Sequence, residues 1–170
     1  MTQRDQQTAA TAAVAAAYFA DIAARVVDAQ LKHYAPDGVG HIHGAVGPTG
    51  PAGIAAYFRE LYGAFPEWDY RVEEITAEGE LATCRWRLTA TFLGPGRFQG
   101  LRPNGARIRA EGVDLVRVRA GRIVAVAAYS DQATIARQLG VLPPVGSPTE
   151  RLVRALANFR ARWKRIGVSA

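Results

Sequence analysis

Cysteine is almost missing from this 170-residue sequence, where Cys84 stands alone. A single thiol excludes a disulfide framework within the chain and any zinc site built from several cysteines. It suits a reducing compartment, so we expect a cytoplasmic protein. Long apolar runs are missing as well. No stretch approaches the roughly 20 apolar residues a membrane helix requires. The N-terminal segment 1–7 is polar and carries Asp5, which argues against a secretory signal. Internal repeats are absent, and an alanine run near the N-terminus is the one biased stretch.

What is abundant is positive charge, +6 overall. Such a balance invites a nucleic-acid partner, but its placement argues otherwise. Residues 147–170 hold six basic groups and one acid, Glu150, so nearly all the excess lies in the tail. The rest of the chain is close to neutral, and no nucleic-acid partner is expected. The length fits one core. We expect a domain over residues 1–146 and a basic amphipathic helical extension over 147–170.

Periodicity gives the elements. Residues 8–34 read as helix, rich in Ala, with Val14, Phe19, Ile22, Val26 and Leu31 at helical intervals and a break near Asp28. Pro36-Asp37-Gly38 ends that unit, and Val39–His43 is a short strand. Residues 47–51 read as loop, with Pro51 opening a helix over about 52–65. From Trp68 the period becomes two. Strands are expected over 68–76, 81–92, 108–118 and 122–129, with a short helix over 131–139 closed by Gly140. A basic helix follows from about 148 to 165. Helices first and then consecutive antiparallel strands give an α+β class, a long twisted sheet curled around the helices to enclose a cavity.

Several phrases carry a resemblance. They include Tyr34-Ala35-Pro36-Asp37, Gly50-Pro51-Ala52-Gly53-Ile54, Tyr57-Phe58-Arg59-Glu60-Leu61 and Cys84-Arg85-Trp86. Others are the loop from Phe98-Gln99-Gly100 to Pro103-Asn104-Gly105, Glu111-Gly112-Val113-Asp114, Gly121-Arg122-Ile123-Val124, and Ala136-Arg137-Gln138-Leu139-Gly140. In this order and spacing the chain resembles the nuclear transport factor two-like superfamily, and within it the SnoaL-like polyketide cyclases and ester cyclases. The resemblance implies a cone-shaped half-barrel, a homodimer, and acid–base chemistry on a small apolar molecule without a cofactor or metal. It implies a catalytic Asp on the last strand and a His on the strand before. This sequence departs at both places, with Ala128 at the first and Asp114 at the second.

Asp114 is the strongest candidate for chemistry. In a strand it shares a face with Ile108, Ala110, Gly112, Val116 and Val118. An acid on an apolar face is either paired outside with an Arg or held in a pocket with a raised pKa. His41 and His43 lie two apart on one strand, either as proton shuttles or as polar rim residues; no third ligand for a metal is evident. Asp131 precedes a helix and reads first as its N-cap, second as a catalytic group. Tyr129 can donate to a substrate oxygen or sit buried. The pocket is expected to be lined by Tyr18, Tyr57, Phe58 and Tyr62 from the helices and by Trp86, Phe92, Val126 and Ala128 from the strands. In the tail, Leu152, Leu156, Phe159 and Trp163 form one apolar stripe. We expect it to pack on the domain or on a second subunit rather than on a membrane. The first functional reading is a cofactor-independent cyclase, isomerase, dehydratase or epoxide hydrolase acting on a polyketide-like or terpenoid-like molecule. The competing reading is a binding protein that kept the pocket and lost the chemistry, and a third is a dimerising scaffold.

Overall fold

The computed structural model describes residues 2–166. Its first helix, α1 (Gln3–Ala23), starts ahead of the alanine run because Thr2 and Asp5 form a capping box. The Thr2 side chain accepts from the Asp5 N–H, and the Asp5 carboxylate accepts from the Thr2 N–H at 2.8 Å. Ala15, Tyr18, Phe19 and Ile22 form its buried stripe. The break comes earlier than the expected Asp28. Arg25 takes a positive φ of 63°, and its guanidinium donates to the carbonyls of Tyr62 and Pro66, which fixes the bend. A short α2 (Val27–Lys32) follows.

The next elements are β1 (Tyr34–Ile42), β2 (Val46–Thr49) and α3 (Pro51–Ala64), the last with its proline at the start of the helix. Two sequence expectations fail here. Tyr34 belongs to a strand, not to the helix, and Pro36-Asp37-Gly38 forms the irregular part of β1, where its register shifts. Residues 46–49 form a strand rather than loop, and Pro48 is tolerated because β2 lies at the sheet edge. Then come β3 (Glu67–Glu78), β4 (Leu81–Thr91), β5 (Arg107–Arg119), β6 (Arg122–Ser130), α4 (Gln132–Gln138) and α5 (Pro148–Ile166).

The six strands form one open, curved sheet in the order β2-β1-β6-β5-β4-β3. Only the β1–β6 pair is parallel. Helix α1 packs on β3, β4 and β5, and α3 packs on β1 and β2, so the helices occupy the concave side. β5 shows the sorting clearly. Ile108, Ala110, Asp114, Val116 and Val118 are buried and Gly112 on the same face is half-buried, while the alternate residues Arg109, Glu111, Val113, Leu115 and Arg117 are exposed on the convex side. The α+β half-barrel expected from the sequence is therefore the observed fold.

The tail does form a helix, but the described part of its stripe is exposed rather than buried. Leu152, Leu156 and Phe159 are 60%, 55% and 58% exposed. The first turns of the helix are tied to the domain. Glu150 accepts from the Gly146 N–H at 2.6 Å and pairs with Arg154 at 3.0 Å and, at 3.8 Å, with Arg137. The Trp163 side chain lies outside the described residues. No described helix is long and apolar enough to cross a membrane.

Candidate active site

The concave face of the sheet, with helices α1, α3 and α4, surrounds a cavity of about 100 Å³. An engineered cavity of roughly 150 Å³ takes up benzene, so the space here is near the size of one ring. Its walls are mostly aromatic and aliphatic, and one carboxyl, that of Asp114, lines it among the described residues.

Asp114 sits at mid-strand, 6% exposed. Its neighbours across the sheet are Cys84 on β4 and Ala128 on β6, both small, which leaves space above the carboxyl group. Burial penalises the charged form and pushes its pKa up from 3.8 to about 7. One hydrogen bond opposes that rise: the Trp86 indole Nε1 donates to Oδ1 at 2.8 Å. Gly112 makes this bond possible. A Cβ at Gly112 would lie 2.2 Å from Trp86 Cζ2 and 2.6 Å from Cε2, so only a glycine lets the indole lie flat across β5 and reach two residues along the strand. Cys84 is buried, and its thiol is pushed up to about 12, first by burial and then by the Asp114 charge, so it stays protonated.

Trp86 ends an aromatic stack. Tyr70 lies on it at 5.4 Å, and Trp68 stacks on Tyr70 at 5.9 Å with nearly parallel rings. The Trp68 Nε1–H is buried without a protein partner. Across the cavity the hydroxyls of Tyr18 (α1) and Tyr34 (β1) meet at 3.2 Å, both side chains buried. Their pKa values, and those of Tyr57 and Tyr70, are raised by burial and further by the Asp114 charge, so all four stay neutral near pH 7. At the end formed by β6 and α4, Ser130 and Gln132 add a polar pair, with Gln132 Nε2 donating to Ser130 Oγ at 2.8 Å.

Of the residues expected to line the pocket, Tyr18, Tyr57, Phe58, Trp86, Val126 and Ala128 do so. Tyr62 and Phe92 do not. Tyr62 is tied into the core, donating to the Ile22 carbonyl and accepting from Gln30. Phe92 is fully buried and stacks on Phe65. His41 borders the cavity, but its ring lies 3.6 Å from that of His43, which stacks at 4.1 Å on Tyr129. His41 pairs with Ala127 and Ile42 with Ala128, so alternation sets His41, with His43 and the 46%-exposed Tyr129, on the other strand face from Ala128, and of these three His41 alone borders the cavity. Tyr129 and His43 are therefore not pocket residues. Asp131 is the N-cap of α4, accepting from the Thr134 N–H at 2.9 Å, and lies outside the cavity. The sequence reading missed Tyr34, Trp68, Tyr70, Ser130 and Gln132 as wall residues. Trp68 and Tyr70 follow from the two-residue period once β3 is paired with β4. Tyr34 was hidden by its assignment to a helix.

No group of three or more His, Cys, Asp or Glu side chains able to hold a metal occurs among the described residues. A family model described as SnoaL-like polyketide cyclase matches residues 12–139. A search of curated proteins finds no match. Among solved structures, AclR of Streptomyces galilaeus, described as a candidate hydroxylase, shares 24% identity at a TM-score of 0.71, covering 94% of this chain and 98% of that one. A candidate SnoaL-like polyketide cyclase from Jannaschia sp. CCS1 shares 20% identity at 0.72, covering 85% and 100%. IdmH of Streptomyces antibioticus, a candidate polyketide cyclase, shares 25% identity at 0.64, covering 77% and 99%.

Proposed function

The chain belongs to the SnoaL-like polyketide cyclase family, and on that premise we propose that it is an acid–base enzyme that removes a proton from carbon beside a carbonyl in a small apolar molecule. Ring closure or isomerisation of a polyketide-like substrate follows from such a step. The observation that carries this reading is a carboxyl buried in the wall of an aromatic cavity the size of one ring, where burial pushes its pKa up to about 7. A general base works best when its pKa lies near the operating pH, and Asp114 meets that condition through burial alone. The resemblance implies an acid at the position of Ala128 in related enzymes. Asp114 is the direct cross-strand neighbour of Ala128, which supports a carboxyl that acts from one strand over at the same level of the sheet.

The step balances without an outside oxidant or reductant. The C–H bond breaks, the proton joins an Asp114 oxygen, and the electron pair moves onto the carbonyl oxygen as an enolate. A ring-sized part of the substrate occupies the cavity, where Ser130 and Gln132 offer polar contacts.

One observation favours the binding-protein reading. His43 and the Asp131 carboxylate lie outside the cavity, and the ring of His41, which borders it, lies against that of His43, so among the described residues no second imidazole or carboxyl group pairs with Asp114 to relay its proton. Deuterium exchange separates the readings. Phenylacetone, one ring beside a ketone with acidic C–H groups, is incubated with the protein in D₂O and followed by proton NMR. Exchange faster than in buffer, and reduced on the order of a hundredfold in Asp114→Asn, supports the enzyme. Binding of the ketone without accelerated exchange supports the binding protein.

A further inference from the structure

We propose that the Tyr18–Tyr34 hydroxyl pair is a binding subsite for an oxygen anion, and that it selects substrates able to place an enolate or phenolate oxygen against it. The inference rests on the proton-abstraction reading above and adds where the charge goes.

Each tyrosine hydroxyl has one proton to donate and two lone pairs. The two oxygens lie 3.2 Å apart, and among the described residues neither side chain makes another hydrogen bond. One proton is spent within the pair. The other O–H has no acceptor among the described residues, although both side chains are buried and both line the cavity. A buried donor without a partner is costly, so a ligand acceptor at this point gains a bond that the empty protein lacks. The donating hydroxyl is also polarised by the bond it accepts from its neighbour, which strengthens its own donation. Local packing holds the pair in place. The rings meet edge-on at 5.7 Å, and Gly40 is adjacent, where an added Cβ would lie 3.4 Å from the Tyr34 hydroxyl and clash with Ile54.

Charge accounting fixes what the subsite takes. The two tyrosines feel the Asp114 charge, so the hydroxyls and the carboxyl share one low-dielectric space. That space accommodates one negative charge far more readily than two. Before proton transfer the charge is on Asp114. Afterwards Asp114 is neutral and the charge is on the substrate oxygen, where a tyrosine O–H meets it. The tyrosines stay protonated throughout because burial holds them above their usual range. The cavity total is unchanged during the step, and only the charge's position moves, as transition-state stabilisation by preorganised donors requires.

Substituted phenols of graded acidity test this directly, because a bound phenolate mimics the enolate. Affinity and the ultraviolet absorbance of the bound phenol report binding and ionisation. We expect wild-type protein to bind the more acidic phenols as phenolates. Asp114→Asn, which resembles the neutral carboxyl, should bind them about tenfold more tightly or better. Tyr18→Phe and Tyr34→Phe should each weaken phenolate binding, the larger loss, on the order of tenfold or more, marking the donor that faces the ligand. The double variant should lose the dependence of affinity on phenol acidity. A far-downfield proton resonance in the wild-type phenolate complex, absent from the double variant, checks the bond without relying on stability. Phenolate affinity unchanged in both single variants and the double variant overturns the subsite, as does wild-type protein that binds no phenol. Failure of the base reading looks different: Asp114→Asn would keep its exchange activity while the tyrosine variants still lost phenolate binding.

Discussion

Asp114→Asn should stabilise the folded protein, and by an amount that depends on pH. Asn keeps the size of the side chain and can accept the Trp86 indole N–H through its amide oxygen, so packing and hydrogen bonding survive. What it removes is ionisation. The folded pKa is raised from 3.8 to about 7 by burial, so between those values the folded state holds a proton that the unfolded chain has released. The unfolded state then binds fewer protons, and wild-type stability falls as pH rises through this window. The loss begins near pH 4 and levels off above pH 7. A rise of roughly three units sets a ceiling of about 4 kcal/mol at ~1.36 kcal/mol per unit. Between pH 5 and pH 8 the advantage of the variant should grow by about 2–3 kcal/mol. For a chain of this size that is several degrees of Tm, at roughly 2–4 °C per kcal/mol. Paired thermal melts at pH 5, 6, 7 and 8 measure it, and the difference between the two proteins cancels every other titrating group. A variant with the same Tm difference from wild type at all four values would refute the reasoning.

Three further outcomes are expected. Trp86→Phe removes the one hydrogen bond that lowers the Asp114 pKa, so a carbon-13 titration of the Asp114 carboxyl should show its midpoint moving above 7. A midpoint that stays put or falls would show that the indole does not set it. Gly112→Ala forces a methyl into the Trp86 ring and the Tyr129 carbonyl, and should cost about 1–3 kcal/mol in denaturant unfolding while shifting indole fluorescence. Full stability in that variant would mean that Trp86 does not need its place across β5. Removing residues 155–170 should leave the Tm of dilute protein unchanged to within a degree or two, because Leu156 and Phe159 are exposed and the Glu150 contacts remain. A loss of several degrees, largest at high protein concentration, would show that a second copy buries the stripe.

The fold was legible because it is written in periodicity. The helical spacing of Phe19 and Ile22, the strict alternation of β5 and the proline at the start of α3 each satisfy a local rule that tertiary packing reinforces. Boundaries were less legible. The start of α1 depends on a cap at Thr2, and its end on a positive-φ Arg25 held by two carbonyls from a distant turn, which no local pattern announces. Asp114 could be found from the sequence because one acid on an apolar strand face is conspicuous by itself. Tyr18 with Tyr34 could not be found as a pair, because 16 residues and a change from helix to strand separate them. The histidines misled for a geometric reason. Alternation puts His41 and His43 on one face, but only the pairing of β1 with β6 decides that it is the other strand face from Ala128.

The pH–rate profile of deuterium exchange into phenylacetone tests the central claim most directly. If Asp114 takes the proton, it must be ionised to act. The wild-type rate should rise with pH and level off above a midpoint near 7, and Asp114→Asn should retain only the background reaction at every pH. A wild-type rate that does not follow a group titrating near 7, or the same profile in Asp114→Asn, would contradict the claim.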